Sequence, residues 1–192
     1  MIFDSVKTYS EFEGIVKKIQ LGRKELFFEI EKTYGKKLYF YIYHLIGSKE
    51  DVEDVLQNVF IRAFEKIHSF DTSRQFSSWI YRIAHNESIN WMKRNRKRYT
   101  ISWDDVSATK DKREMSLEDE SLEEKWERKE LRVNIRSALK RLPHKYREVL
   151  ILRFYLEKSY EEIGSIIGKP RNTVGTLINR AKKKMGVLLE NI

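Results

Sequence analysis

The chain has 192 residues, of which 41% are hydrophobic and 35% charged, with a formal net charge of +9 and no cysteine. That length holds one ordinary domain or two small ones, and the missing cysteines exclude a disulfide framework and thiolate metal ligation. No stretch approaches the roughly 18–20 apolar residues of a membrane span, the acid-containing N-terminus is unlike a secretory leader, and the excess of cations points to a polyanion partner.

Leu, Ile, Lys, Arg and Glu dominate and only Pro143 and Pro170 interrupt, which favours helix throughout. Charge divides the chain into three. Residues 1–99 carry 18 Lys/Arg against 13 Asp/Glu, net +5; residues 100–128 carry 5 against 10, net −5; residues 129–192 carry 15 against 6, net +9. The fold class expected is all-α: two small helical domains joined by an acidic flexible linker, the second containing a helix-turn-helix. Boundaries fall at 1–23 for an N-terminal extension, 24–99, 100–128 for the linker and 129–192. Within the linker, Ser121 with Glu124 three positions on is a helix-start signature, so its last third can already be helical.

Along the first body, Phe27, Ile30, Tyr34, Leu38, Tyr41 and Leu45 follow three- and four-residue steps and predict a helix that Gly47 ends. "SKEDVEDVLQNVFIRAFEKI" starts another, capped by Ser48, with its acids in the first turn. Val52, Val55, Leu56, Val59, Phe60 and Ala63 form its buried stripe. The opposite side shows Glu50, Glu53, Asp54, Gln57 and Asn58, either a solvated face or a protein-docking one. Residues 68–75 read as a loop.

"FSSWIYRIAHNESINWMKRNRKR", residues 76–98, follows as a helix with Phe76, Ile80, Ile83, Ala84 and Trp91 on one side. Glu87 projects onto the same stripe, so a break near Asn86 is expected. Tyr81, Arg82, His85 and Met92 point elsewhere. Rings and amides beside so many cations suit single-stranded nucleic acid: rings stack on unpaired bases, amides read base edges and cations hold phosphates. The plainer alternative is a core helix with a solvated basic tail.

The second body carries the strongest signal. In "YREVLILRFYLEKSYEEIGSIIGKPRNTVGTLINRAKKKM" a helix is followed by Ser159 and Glu162 in capping-box register, a short helix, Gly168 and Pro170 at the turn, and a longer helix. That is the layout of a helix-turn-helix. At 100° per residue Val174, Leu177, Ile178, Ala181 and Met185 gather on one side of the last helix. Asn172, Thr176, Asn179 and Lys183 gather opposite, flanked by Arg171, Arg180, Lys182 and Lys184. Short amides and hydroxyls with adjoining cations fit a major groove and its phosphates.

Residues 49–97, "KEDVEDVLQNVFIRAFEKIHSFDTSRQFSSWIYRIAHNESINWMKRNRK", resemble the second region of a bacterial sigma factor, and "LKRLPHKYREVLILRFYLEKSYEEIGSIIGKPRNTVGTLINRAKKKM" resembles the fourth. With only these regions and a short linker, the chain resembles the extracytoplasmic-function (ECF) group over about residues 24–99 and 129–188. The resemblance implies a dissociable subunit of core RNA polymerase that selects promoters and begins strand opening. By that analogy Arg74, Gln75, Tyr81, Asn86 and Lys93 capture the unpaired −10 strand. The −35 duplex is read by Arg171, Asn172, Thr173, Thr176, Asn179, Arg180 and Lys183. Asp51, Glu53, Asp54 and Gln57 dock on the clamp helices of the largest polymerase subunit, while the fourth region leans on the flap of the second-largest. The linker threads through the polymerase.

An anti-sigma factor wedged between the two regions is a further partner that the resemblance admits. It also implies a cytoplasmic, nucleoid-associated protein with no stable membrane insertion, no cofactor, no metal site and no catalytic residue of its own. Three departures stand out: Asn58 replaces an acid on the docking face, Asn90 stands where Asp is common, and Gly175 stands where the group has Lys or Arg. A helix-turn-helix regulator binding duplex DNA as a dimer is the runner-up, but it leaves the aromatic-amide-basic helix and the acidic face without a role. No zinc-protease, phosphate-loop or nucleophile-elbow motif occurs, and the four histidines are scattered.

Overall fold

The computed structural model describes residues 9–95 and 122–190, and among them all regular structure is helical. Helix α1 spans Tyr9–Gln20. A 3-10 turn at Lys24–Leu26 leads into α2, Phe27–Ile46. Gly47 ends α2 in the left-handed conformation (φ 79°), where a side chain would be strained. Ser48 then caps α3, Lys49–Lys66, its Oγ accepting from the Asp51 amide. A second 3-10 turn, Ile67–Ser69, precedes the loop into α4, Phe76–Arg94.

Helices α2, α3 and α4 pack on one another around Leu38, Leu45, Val52, Val59, Ile80 and Ala84. Each large aliphatic side chain buried there contributes about 1.5–3 kcal/mol. Helix α1 closes one end: Phe12, Val16 and Ile19 are buried, and the Phe12 ring meets Tyr34 and Phe76. The expected stripes of α2 and α3 are essentially those observed, with Tyr34, Leu56 and Phe60 only partly buried.

The second body contains α5, Leu122–Arg141, and α6, His144–Leu150, which continues as a π-helical turn over Ile151–Tyr155. Then come α7, Tyr160–Ile167, and α8, Arg171–Glu190. The capping box forms as its residue types require: Ser159 Oγ accepts from the Glu162 amide at 3.1 Å while the Glu162 carboxylate accepts from the Ser159 amide at 2.8 Å. Gly168 takes the left-handed exit (φ 65°), and α8 lays Val174, Ile178 and Ala181 into the core. Helical structure is present from Leu122, within the stretch read as tether; the Ser121 cap and residues 100–121 lie outside the described residues.

The two bodies touch. Helix α7 packs along α4, and α6 packs on α2.

Candidate nucleic-acid interface

Helix α4 is continuous, with no break at Asn86. Its buried line runs Phe76, Ile80, Ala84, Ser88, with Tyr81 beside it, while Ile83 and Trp91 are half-buried. Glu87 is therefore off the buried stripe. It stands at the edge, 3.9 Å from Arg62 of α3. The rings go largely into packing: Trp79 lies against Phe70 and Phe76, and Tyr81 meets Tyr41 edge-on.

Tyr81 is the one −10 candidate that the structure places in the interior, at 2% exposure. It sits a helical step away from the outward stripe, on the side where α7 lies, with Lys158 Nζ 5.7 Å from its ring centre. In this arrangement it is not presented for strand capture. Periodicity put it off the apolar stripe of the helix, and the second body packs against α4 there.

What α4 does expose is a row of amides and cations: Arg82, Asn86, Asn90 and Lys93. At 100° per residue they fall within about 80° of arc. Asn86 and Asn90 line a recess of about 260 Å³ together with Arg62, Lys66, Ile83 and Glu87. Arg74 and Gln75 are exposed just before the helix. Their loop is braced, since Asp71 accepts from the Ser73 amide and hydroxyl at 3.0 and 2.7 Å and lies 3.4 Å from Arg74. The hydroxyl and amide of Ser73 hold the Asp71 carboxyl below its ordinary value. Gln20 of α1 braces the loop from behind, donating to the carbonyls of Ile67 and Phe70 at 2.7 and 2.8 Å. Sequence reasoning missed Arg62, Lys66 and Arg82. The spacing of Arg82, Asn86, Asn90 and Lys93 was legible once α4 was taken as unbroken.

All seven residues assigned to the duplex face of α8 are exposed: Arg171, Asn172, Thr173, Thr176, Asn179, Arg180 and Lys183. Thr176 Oγ1 donates to the Asn172 carbonyl at 3.0 Å, and Arg171 pairs with Glu161 at 2.6 Å, so these two begin partly engaged. Gly175 is half-buried; a Cβ there would meet the Tyr160 ring at 3.5 Å, an ordinary contact. On α3, Glu53, Asp54 and Gln57 are exposed and Asp51 half-exposed. Asn58 shares that face and donates to the Asp54 carbonyl at 2.8 Å.

A model of sigma-70 region 2 matches residues 32–98, and one of sigma-70 region 4 matches residues 132–185. Over 180 residues the chain is 33% identical to the ECF RNA polymerase sigma factor SigW of Bacillus subtilis (strain 168), covering 92% of this chain and 96% of that one. The chain belongs to the ECF sigma factors. It is also 28% identical over 187 residues to the RNA polymerase sigma-H factor of Pseudomonas aeruginosa, spanning 95% of this chain and 96% of that one. In fold it is similar to CnrH, solved with the cytosolic domain of CnrY (TM-score 0.67, 23% identity, 93% of this chain and 97% of that one). Bartonella quintana RpoE, solved with the anti-sigma factor NepR, is similar as well (TM-score 0.62, 22% identity, 85% and 96%). The row of amides and cations on α4 thus lies in the sigma factor's region 2, and the exposed face of α8 in its region 4. Among the described residues no helix is long and apolar enough to cross a membrane.

Two charged residues of region 4 that sequence reasoning passed over are buried at the junction with region 2. Arg147 donates to the His44 carbonyl at the end of α2 (3.0 Å) and to the Lys140 and Leu142 carbonyls at the end of α5 (3.2 and 3.0 Å). A cation at two helix C-termini meets carbonyls that lack intrahelical partners. Glu148 Oε1 accepts from Tyr41 Oη at 2.5 Å and lies 2.6 Å from His85 Nδ1. Burial pushes its carboxyl up, but the His85 bond and charge, the nearby His144 and the Tyr41 hydroxyl outweigh it and leave the group below the ordinary carboxylate value. Their signal was the Arg-Glu pair set inside the apolar run "YREVLIL".

Proposed function

We propose that this sigma factor binds core RNA polymerase, directs it to promoters and helps open the −10 DNA, with the labour divided between two exposed faces. On α4, Arg82, Asn86, Asn90 and Lys93, with Arg74 and Gln75 at the preceding loop, take the unpaired −10 strand. The recess between α3 and α4 offers amides to a splayed base edge and cations to its phosphates. On α8, Asn172, Thr173, Thr176 and Asn179 read base edges of the −35 duplex, while Arg171, Arg180 and Lys183 hold adjoining phosphates. Asp51, Glu53, Asp54 and Gln57 on α3 dock on the clamp helices of the largest polymerase subunit, and region 4 leans on the flap of the second-largest. Asn58 leaves one acid fewer on that face.

The domain limits we assign are residues 24–99 and 129–192, preceded by an extension and joined by an acidic linker. The polymerase makes the bonds; this chain supplies recognition and melting, in the cytoplasm where its partner works. An anti-sigma factor fits the family, and CnrH and B. quintana RpoE were each solved with a protein partner.

The observation that carries this reading is the pair of outward amide-and-cation faces on one chain, one on a helix bordering a recess and one on a helix-turn-helix. The test is transcription by core polymerase on sheared genomic DNA, with and without the chain, with RNA 5′ ends mapped. New starts that share spaced upstream motifs are expected. Stable duplex binding without new starts or core association would favour a dimeric helix-turn-helix regulator instead.

A further inference from the structure

The recess between α3 and α4 contains a residue whose charge is wrong for holding a strand of phosphates. On α4, Ile83, Asn86, Glu87 and Asn90 recur at three- and four-residue steps and share one side of the helix. Arg62 and Lys66, four apart on α3, line the same space of about 260 Å³. Among these lining residues two are cations, two are neutral amides, one is apolar, and Glu87 is the single anion. A carboxylate beside phosphates lowers affinity by like-charge repulsion. Affinity for the strand therefore gives no reason for Glu87 to be there.

Ion pairing gives little reason either. The Glu87 carboxylate lies 3.9 Å from the Arg62 guanidinium, beyond hydrogen-bond distance, and Arg62 reaches Glu65 more closely, at 3.2 Å. Surface pairs of that length contribute little to stability. The Glu87 side chain is 19% exposed, so its surroundings hold it in place while it lines the cavity. An ionised carboxylate can only accept hydrogen bonds. Cytosine, adenine and guanine each carry an exocyclic amine that donates; thymine has carbonyl oxygens in place of any amine. In a recess partly screened from water, an acceptor bonds the amine and repels the carbonyl more strongly than it would in bulk solvent.

We propose that Glu87 is a specificity-determining residue of this recess: its carboxylate accepts from the exocyclic amine of one splayed base and so admits an amino-bearing base against thymine. The inference rests on the strand-capture reading above and names the base chemistry that the recess selects. Ile83 offers an apolar surface to the base face, and Arg62, Lys66 and the two asparagines supply donors to its ring nitrogens and carbonyls. Glu87→Gln keeps the shape of the side chain but adds a donor, so a thymine carbonyl is satisfied as readily as an amine. The same change removes a negative charge and raises affinity for every strand. The ratio between bases, rather than affinity itself, therefore reports the role of Glu87.

The test uses the full chain bound to core polymerase and a pool of single-stranded DNA randomised at every position. Strands retained by the parent chain are expected to share a motif with one position from which thymine is missing. Glu87→Gln should admit thymine at that position alone, with the rest of the motif and the urea midpoint unchanged. The selected base is then replaced by its analogue without the amine: pyrimidin-2-one for cytosine, purine for adenine, hypoxanthine for guanine. That replacement should cost the parent chain at least about fivefold in affinity and the variant less than about twofold, as one lost base-edge contact would. The analogue measurement on the parent chain needs no variant, so it decides the matter even if Glu87→Gln folds poorly. An analogue that binds the parent as well as the natural base would overturn the proposal. A thymine exclusion that persists unchanged in Glu87→Gln would do the same while leaving strand capture standing. A parent chain that retains no shared motif would defeat the strand-capture reading, and this proposal with it.

Discussion

Tyr81 and His144 show how one side chain's surroundings set its behaviour. The Tyr81 hydroxyl is buried and has no hydrogen-bond partner. An unpartnered buried hydroxyl costs about 1–3 kcal/mol of desolvation, so Tyr81→Phe is expected to leave stability unchanged or raise it by up to about 1 kcal/mol, read from the urea midpoint. A loss above 1 kcal/mol would mean the hydroxyl is bonded in solution. His144 ties stability to pH through its burial. Burial holds its imidazole below the ordinary 6.5, with Arg147 and His85 adding to that and Glu148 opposing it. The folded form therefore binds fewer protons than the unfolded form around pH 6.5. Its contribution is complete above that value and is lost as pH falls towards the folded value. The urea midpoint is expected to drop between pH 7.5 and 5.5, and the drop should be smaller in His144→Gln, which has nothing to protonate. Equal drops in both chains would remove His144 as the cause.

At the scale of elements, helix ends and a brace do most of the positioning. Gln20 ties the end of α1 to the carbonyls of Ile67 and Phe70, immediately before the loop that presents Arg74 and Gln75. Two hydrogen bonds at about 0.5–1.5 kcal/mol each give an expected loss of about 1–3 kcal/mol for Gln20→Ala. Weaker capture of a −10 single strand should accompany it, with −35 duplex binding unchanged. Anisotropy on the two DNAs separates these effects, and equal weakening of both would show general unfolding rather than a braced loop. Gly175 lies in the interior of α8, where glycine costs about 1 kcal/mol relative to alanine, and the 3.5 Å to Tyr160 leaves room for a methyl group. Gly175→Ala is expected to raise stability by about that amount. Gly175→Lys should also steepen the salt dependence of duplex binding by about one phosphate contact. An unchanged slope would mean that position 175 does not face the backbone.

Across the whole molecule the three faces should separate cleanly. Asp54 is exposed on α3 and belongs to neither of the faces proposed to read DNA. Asp54→Arg is expected to lower core affinity at least tenfold and leave duplex binding by region 4 intact. Unchanged core affinity would dismiss the acidic face as the docking surface. The two regions pack together without covering α8, since their junction engages α6 and α7 and leaves all seven residues proposed to face the duplex exposed.

The sequence by itself determined the helices, most of their buried stripes, the capping box at Ser159 and the outward face of α8. Each of these follows from local rules: a 3.6-residue period, a cap's hydrogen-bonding reach, glycine's access to positive φ. The exposed row on α4 was half legible, because Glu87 was taken for a break when it is an edge residue paired across to Arg62. What only the tertiary structure decided lies where two bodies meet. Tyr81 lies against Tyr41 of α2 with Lys158 of the second body over its ring, and Arg147 and Glu148 are buried where they reach partners on α2 and α4 more than 60 residues away, Arg147 also holding carbonyls at the end of α5. Periodicity reports which side of a helix is apolar. It does not report which polar side will find its hydrogen-bond partners in another part of the chain, because that depends on how the two bodies dock.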